Sequence, residues 1–225
     1  MTAPAVQQAE RQTEPQVGTG RRMMAGPAAA GAAYTVSWIA GLAIPAPSPR
    51  LTASGASVVE ALAGHSGEVA ANFVLTEGLP ALGLAVVSAF LARTLRGQGA
   101  TRLARTALVA GLVAAAISLT QCVLGVALAR ASVPGTAREL NELVNQLDGV
   151  KMFALAALAA AVAVAPRLPG WLRCLGAALA ASITASGVAY LFLLDSAAWL
   201  AWPAGLVLLA FIPAAGYVAA RTDVR

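Results

Sequence analysis

Six stretches of this chain run for about a bilayer's thickness with at most one charged residue each: 24 to 45, 71 to 92, 106 to 129, 151 to 166, 172 to 194 and 200 to 219. A helix needs about 20 apolar residues to cross the hydrocarbon core. No remaining stretch combines enough length and charge to fold as a domain in water, since only 11% of the 225 residues are charged and 59% are hydrophobic. The expected fold is all-α: a polytopic transmembrane helix bundle over residues 23–220. A cytoplasmic tail covers 1–22 and a short cytoplasmic end covers 221–225. The fourth stretch is the shortest and borrows length from Lys151, whose long side chain can snorkel.

Basic residues set the orientation. Arg11, Arg21, Arg22, Arg93, Arg96, Arg102, Arg105, Arg167, Arg173, Arg221 and Arg225 fall on one side of the six spans; Arg50, Arg130, Arg138 and Lys151 fall on the other. That asymmetry places both termini in the cytoplasm of a cell-membrane protein. The net charge of +5 therefore reports topology. The arginines form no run that would track nucleic acid, and no nucleic-acid partner is expected. Arg21-Arg22 precedes an apolar run longer than the signal-peptide core of about 7 to 15 residues, so it opens an uncleaved first helix. The tail, rich in Gln, Thr, Pro and Arg, has the composition of a disordered segment.

Two outer loops carry helical signals of their own. Thr136-Ala-Arg-Glu139 reads as a capping box, followed by Leu140, Leu143, Val144 and Leu147 at helical spacing. Ser57-Val-Val-Glu60 repeats the box. Short amphipathic helices over the outer face, one at 137–148, are expected to roof the bundle. Alanine and glycine dominate the spans and permit close helix approach. No repeat of fixed period or inverted duplication is visible.

Glu77 is the polar residue that most needs an explanation, because a carboxylate within a span is costly and normally faces a protein interior or a wet cavity. Pro80, three residues on, removes the donor for the Thr76 carbonyl, so the helix is expected to kink beside the acid. Counting from the cytoplasmic ends at about 1.5 Å per residue puts Glu77 and Gln121 at one depth in the outer third of the membrane. Ser186 and Tyr190 fall near it. Asp148, Lys151 and Asp195 read as the outer ends of their helices. The polar groups therefore suggest an outer pocket, although Glu77 pairing with Gln121 or Lys151, and Asp148 with Lys151, would serve structure alone. Trp38, Phe73, Phe153, Tyr190, Phe192, Trp199 and Trp202 sit in the outer half, as an interfacial belt or as the walls of that pocket. His65 reads as a turn residue. Cys122 and Cys174 lie too far apart to bridge, and no metal site or cofactor motif is present in the sequence.

Asp148-x-x-Lys151 opening a helix, with Ser186-Gly-x-x-Tyr190 in the next, resembles the small Ala-rich polytopic membrane proteins of high-GC actinobacteria. By position, the chain is also similar to the membrane-bound terpene cyclases, which protonate an epoxide or alkene with intramembrane carboxylic acids and are described with seven helices against the six expected here. This second resemblance implies roles for Glu77 and Asp195; as an enzyme of that kind, the chain would use Glu77 as general acid and Asp195 or Tyr190 as proton acceptor or relay. Gln121, Trp38, Phe73, Asp148 and Lys151 would surround an isoprenoid substrate, without metal or cofactor. Two other classes stay open: a transporter moving a proton or solute past Glu77, and an interaction protein using its outer helices and tail.

Overall fold

The computed structural model describes residues 19–222, and all its regular elements are helical. They are α1 (Thr19–Leu42), α2 (Gly55–Leu62), α3 (Ser66–Phe73), a π turn (Val74–Gly78), α4 (Leu79–Gly97), α5 (Thr101–Leu128), α6 (Pro134–Ala163), α7 (Gly170–Leu191), a 3-10 turn (Asp195–Leu200) and α8 (Ala201–Thr222). Residues 1–18 of the expected tail and 223–225 at the other end lie outside the described residues.

Five helical segments are long and apolar enough to cross a membrane: Ser66–Gly97, Thr101–Leu128, Pro134–Ala163, Gly170–Leu191 and Asp195–Thr222. They coincide with the second to sixth expected spans. The first expected span, 24 to 45, coincides with α1, which is not among the five; its Gly, Pro, Ser, Thr and Tyr residues dilute its hydropathy.

Six long helices nevertheless close into a ring in chain order, each packing on the next from α1 to α4, α5, α6, α7 and α8, with α8 returning to α1. Large side chains such as Leu84, Leu91, Leu158, Leu179 and Phe211 are fully buried in the interior. Small residues set the helix spacing. A Cβ on Gly149 of α6 would lie 2.6 Å from the Leu191 nitrogen and 2.9 Å from the Gly187 carbonyl oxygen of α7. The two backbones touch there because nothing stands between them, which is how helices gain van der Waals contact in a bilayer that offers no hydrophobic drive for association.

The bundle has one basic end. There Arg167 donates to the Gln98 carbonyl at 2.6 Å, and Thr94 and Thr222 hydroxyls pair at 3.0 Å, tying three chain segments together. At the opposite end, Asn141 donates to the Arg50 carbonyl and Asp195 accepts from the Leu51 amide, at 3.1 and 2.9 Å.

Three local expectations are corrected. The roof helix at 137–148 and the fourth span are a single helix, α6, of 30 residues. Nothing between them breaks a helix except Gly149, a cost of about 1 kcal/mol, whereas ending the helix would free carbonyls and amides at both new ends. Lys151 consequently lies about 25 Å along α6 from Pro134 at 1.5 Å per residue, near mid-helix and not at an outer end.

Neither capping box forms as read. α6 starts at Pro134 after Val133, with no side-chain cap, because proline at the first turn supplies a helical φ and lacks only an amide that would be unpaired anyway. α2 is capped by Ser54, whose hydroxyl accepts from the Ser57 amide; Ser57 is the capped residue and not the cap. His65 does stand at a helix start, before α3, with its ring 3.4 Å from the Glu68 carboxylate in an exposed pair.

Candidate functional site

The π turn exists because of Pro80. An α-helix would send the Leu79 amide to the Leu75 carbonyl, but here it bonds to Val74, one residue further back. The widened turn leaves the Leu75 carbonyl without its usual donor, and Ser37 of α1 supplies one at 2.7 Å. Such repair is required within a membrane, where no water can satisfy a freed carbonyl. π turns recur at functional positions, and this one carries Glu77.

Glu77 meets Lys151 of α6. The ammonium donates to both carboxylate oxygens at 2.8 Å, and also lies 2.6 Å from Asp148, one turn earlier on its own helix. Gln121 of α5, fully buried, donates to the Val144 carbonyl at 3.0 Å and reaches Asp148 at 3.4 Å. Two helices and the π turn thus share one buried cluster of two carboxyls, one ammonium and one amide. Ser118 of α5 and Tyr34 of α1 are buried beside this cluster. The Gln121 amide oxygen has no partner among the described residues.

Above this cluster lies a cavity of about 490 Å³, within the roughly 300–1,000 Å³ usual for small-molecule sites. Trp38 and Leu42 of α1, Trp202, Gly205, Leu206 and Leu209 of α8, Phe73 of α3 and Tyr190 of α7 form its walls. The segment Ile44–Pro49, with Leu62 of α2, encloses the outer side. Asn141 and Asn145 of α6 and Asn72 of α3 provide polar edges, with Val144 of α6 between them. Phe73 is seated by Gly125, whose missing side chain leaves room for the ring. Trp202 and Leu206 are 70% and 67% exposed, so the α8 wall of the cavity also presents an apolar surface on the outside of the bundle.

The residues expected to act together divide between these two places. Glu77, Asp148, Lys151 and Gln121 are in the cluster, and none of the four lines the cavity; Trp38, Phe73 and Tyr190 line it. Val144 joins the two, since it lines the cavity while its carbonyl holds Gln121. From Val144 to Asp148 is one helical turn, about 6 Å. Asp195 belongs to neither. Its carboxylate accepts from the Leu51 amide and the Thr52 hydroxyl, and it borders an open outer recess shared with Arg50 and Tyr190.

Sequence reasoning passed over Asn72, Asn141 and Asn145. The available signal was the four-residue spacing from Asn141 to Asn145, on the helix face that continues to Asp148. Both cysteines are free. Among the described residues no group of three potential ligands could hold a metal ion.

Fold and composition together define a helical, multi-pass membrane protein. No family model, curated protein or solved structure matches the chain.

Proposed function

We propose that this protein binds a long-chain lipid, isoprenoid in the first instance, within the outer half of the membrane. The observation that carries this reading is the cavity itself: aromatic and aliphatic walls, no charged residue among its lining, and an exposed apolar rim at Trp202 and Leu206 of α8. A lipid tail can enter through such a rim without leaving the bilayer. The buried cluster below is assigned to holding α6 against α5 and the π turn, which keeps the cavity floor in place.

In this reading α1 is a sixth span, because it occupies a full position in the helix ring and packs on both α4 and α8. Both termini are then cytoplasmic, at the end that carries Arg93, Arg96, Arg102, Arg105, Arg167, Arg173 and Arg221.

The test is occupancy. Gly205 lines the cavity, and a Cβ there would stand 3.6 Å from the Trp38 ring. Gly205→Phe should fill the space. Protein purified in mild detergent should carry a stoichiometric lipid detectable by native mass spectrometry, and the variant should lose it while unfolding at an unchanged temperature. Equal lipid content in the two proteins, or none in either, would rule the reading out.

One observation favours turnover of the bound lipid. Tyr190 lines the cavity and lies within range of the Asp148 and Lys151 charges. A proton could pass from the cluster to a substrate through its hydroxyl, as the cyclase resemblance implies. General acid catalysis contributes about 100-fold or more, so Glu77→Gln would lower turnover by at least that factor while leaving lipid occupancy intact. Unchanged turnover in a folded variant would remove the acid role and leave the binding reading standing.

A further inference from the structure

We propose that the ligand's head is an uncharged hydrogen-bond donor, an alcohol on a long apolar chain, recognised by the amide oxygens of Asn72, Asn141 and Asn145. The proposal rests on the cavity being a lipid site, and it concerns what the head of that lipid must be.

Each asparagine nitrogen already donates one hydrogen bond to a backbone carbonyl. Asn72 donates to the Gly41 carbonyl at 2.9 Å, Asn141 to the Arg50 carbonyl at 3.1 Å and Asn145 to the Asn141 carbonyl at 2.8 Å. A backbone carbonyl only accepts, so each amide must turn its nitrogen toward that carbonyl. Its oxygen is thereby directed away. None of the three oxygens accepts a hydrogen bond among the described residues, and all three residues line the cavity. The polar edge of the cavity therefore offers three unfilled amide oxygens, beside one remaining N–H on each of Asn72 and Asn145.

Acceptors select donors. A hydroxyl head satisfies them, and Tyr190 can donate to or accept from that same hydroxyl. A phosphate or diphosphate head is acceptor-only when ionised and would need cations to offset its desolvation. No Lys, Arg or His lines the cavity. The cluster beneath matches its one ammonium with two carboxyls, and the exposed Arg50 borders the neighbouring recess beside Asp195, so neither place offers a spare positive site to an anion within the cavity. A plain hydrocarbon fits the walls but leaves the amide oxygens covered and unpaired, which is penalised. Sites built to pair with a hydroxyl discriminate strongly against analogues that lack it.

Three probes of equal chain length separate these cases: farnesol, farnesyl diphosphate and farnesene. Equilibrium binding to the full-length protein in detergent should rank farnesol first, by about tenfold over either of the others. Asn145→Leu is the informative variant, because the amide of Asn145 bonds only within its own helix and its loss frees no other element. It should weaken farnesol by about three- to tenfold and leave farnesene unchanged. Tighter binding of the diphosphate would overturn the proposal. So would equal binding of farnesol and farnesene, with the cavity reading still intact. Saturable binding of none of the three, by protein that unfolds normally, would instead reject the lipid site itself. Should Asn145→Leu fail to fold, the wild-type ranking of the three probes decides the matter alone.

Discussion

Both carboxylate oxygens of Glu77 accept from the Lys151 ammonium at 2.8 Å, joining the π turn to the middle of α6 across 74 positions of chain. Neither side chain is more than 12% exposed. The bond therefore lies where an unpaired charge is most expensive, and Asp148 shares the same ammonium. This relationship governs what substitutions there should do.

Lys151→Met leaves two carboxyls facing each other without a cation. Breaking a buried pair from one side costs about 3–5 kcal/mol, whereas replacing all members with uncharged side chains is often neutral. Thermal unfolding in detergent should therefore show a large loss for Lys151→Met. Most of it should return in the combined Lys151→Met, Glu77→Gln, Asp148→Asn protein. A triple variant no more stable than the single one would mean that the cluster does more than neutralise itself.

Gly149→Leu should be among the most damaging substitutions in the bundle. The atoms a side chain would meet are the backbone of α7, which cannot swing aside as a flexible side chain can. Overpacking of this kind costs about 1–3 kcal/mol or more. Gly135→Leu, with open space around it, is the control and should unfold close to wild type, apart from a small effect of helix propensity.

Ser54→Ala removes the cap of α2 and should cost about 0.5–2 kcal/mol, while Ser57→Ala should be nearly silent. The opposite order would restore the capping box read from Ser57 and Glu60. Hydrogen exchange of the Ser57 amide reports the same difference locally.

Reporter fusions at residues 98 and 225 should read cytoplasmic and one at residue 140 external. The basic end of the bundle motivates the assignment, since cytoplasmic flanks collect Lys and Arg. A fusion at residue 225 reading external while residue 98 reads cytoplasmic would place the two on opposite sides, against the shared end defined by the Thr94 and Thr222 contact.

Much of this molecule is legible in the sequence alone, because hydropathy acts locally. A run of apolar residues of bilayer length becomes a helix whatever its neighbours do, since lipid offers the backbone no other partner. The second to sixth apolar helices, the basic end, the distortion before Pro80 and the isolation of Glu77 as a residue requiring a partner all follow from that. Lys151 was already one of the two partners proposed for Glu77, and Asp148 was already proposed as its neighbour.

Which polar groups meet is set by packing between helices. Depth along a helix is readable from residue counts, but rotation about the helix axis and the neighbour it faces are not. Glu77, Gln121, Asp148 and Tyr190 are all expected around one pocket; packing sends the first three into a closed cluster and leaves Tyr190 on the cavity wall. Capping signals misled for the same reason. Local spacing can license a helix start at Thr136 or Ser57, but Pro134 and Ser54 stand where the chain turns, and long-range contacts choose the turn. The sequence determined a bundle of membrane-length helices with a costly acid inside it. The close approach of α6 and α7 at Gly149 and Gly187, and the widened turn at Glu77, determined where that acid finds its cation and where the space for a ligand remains.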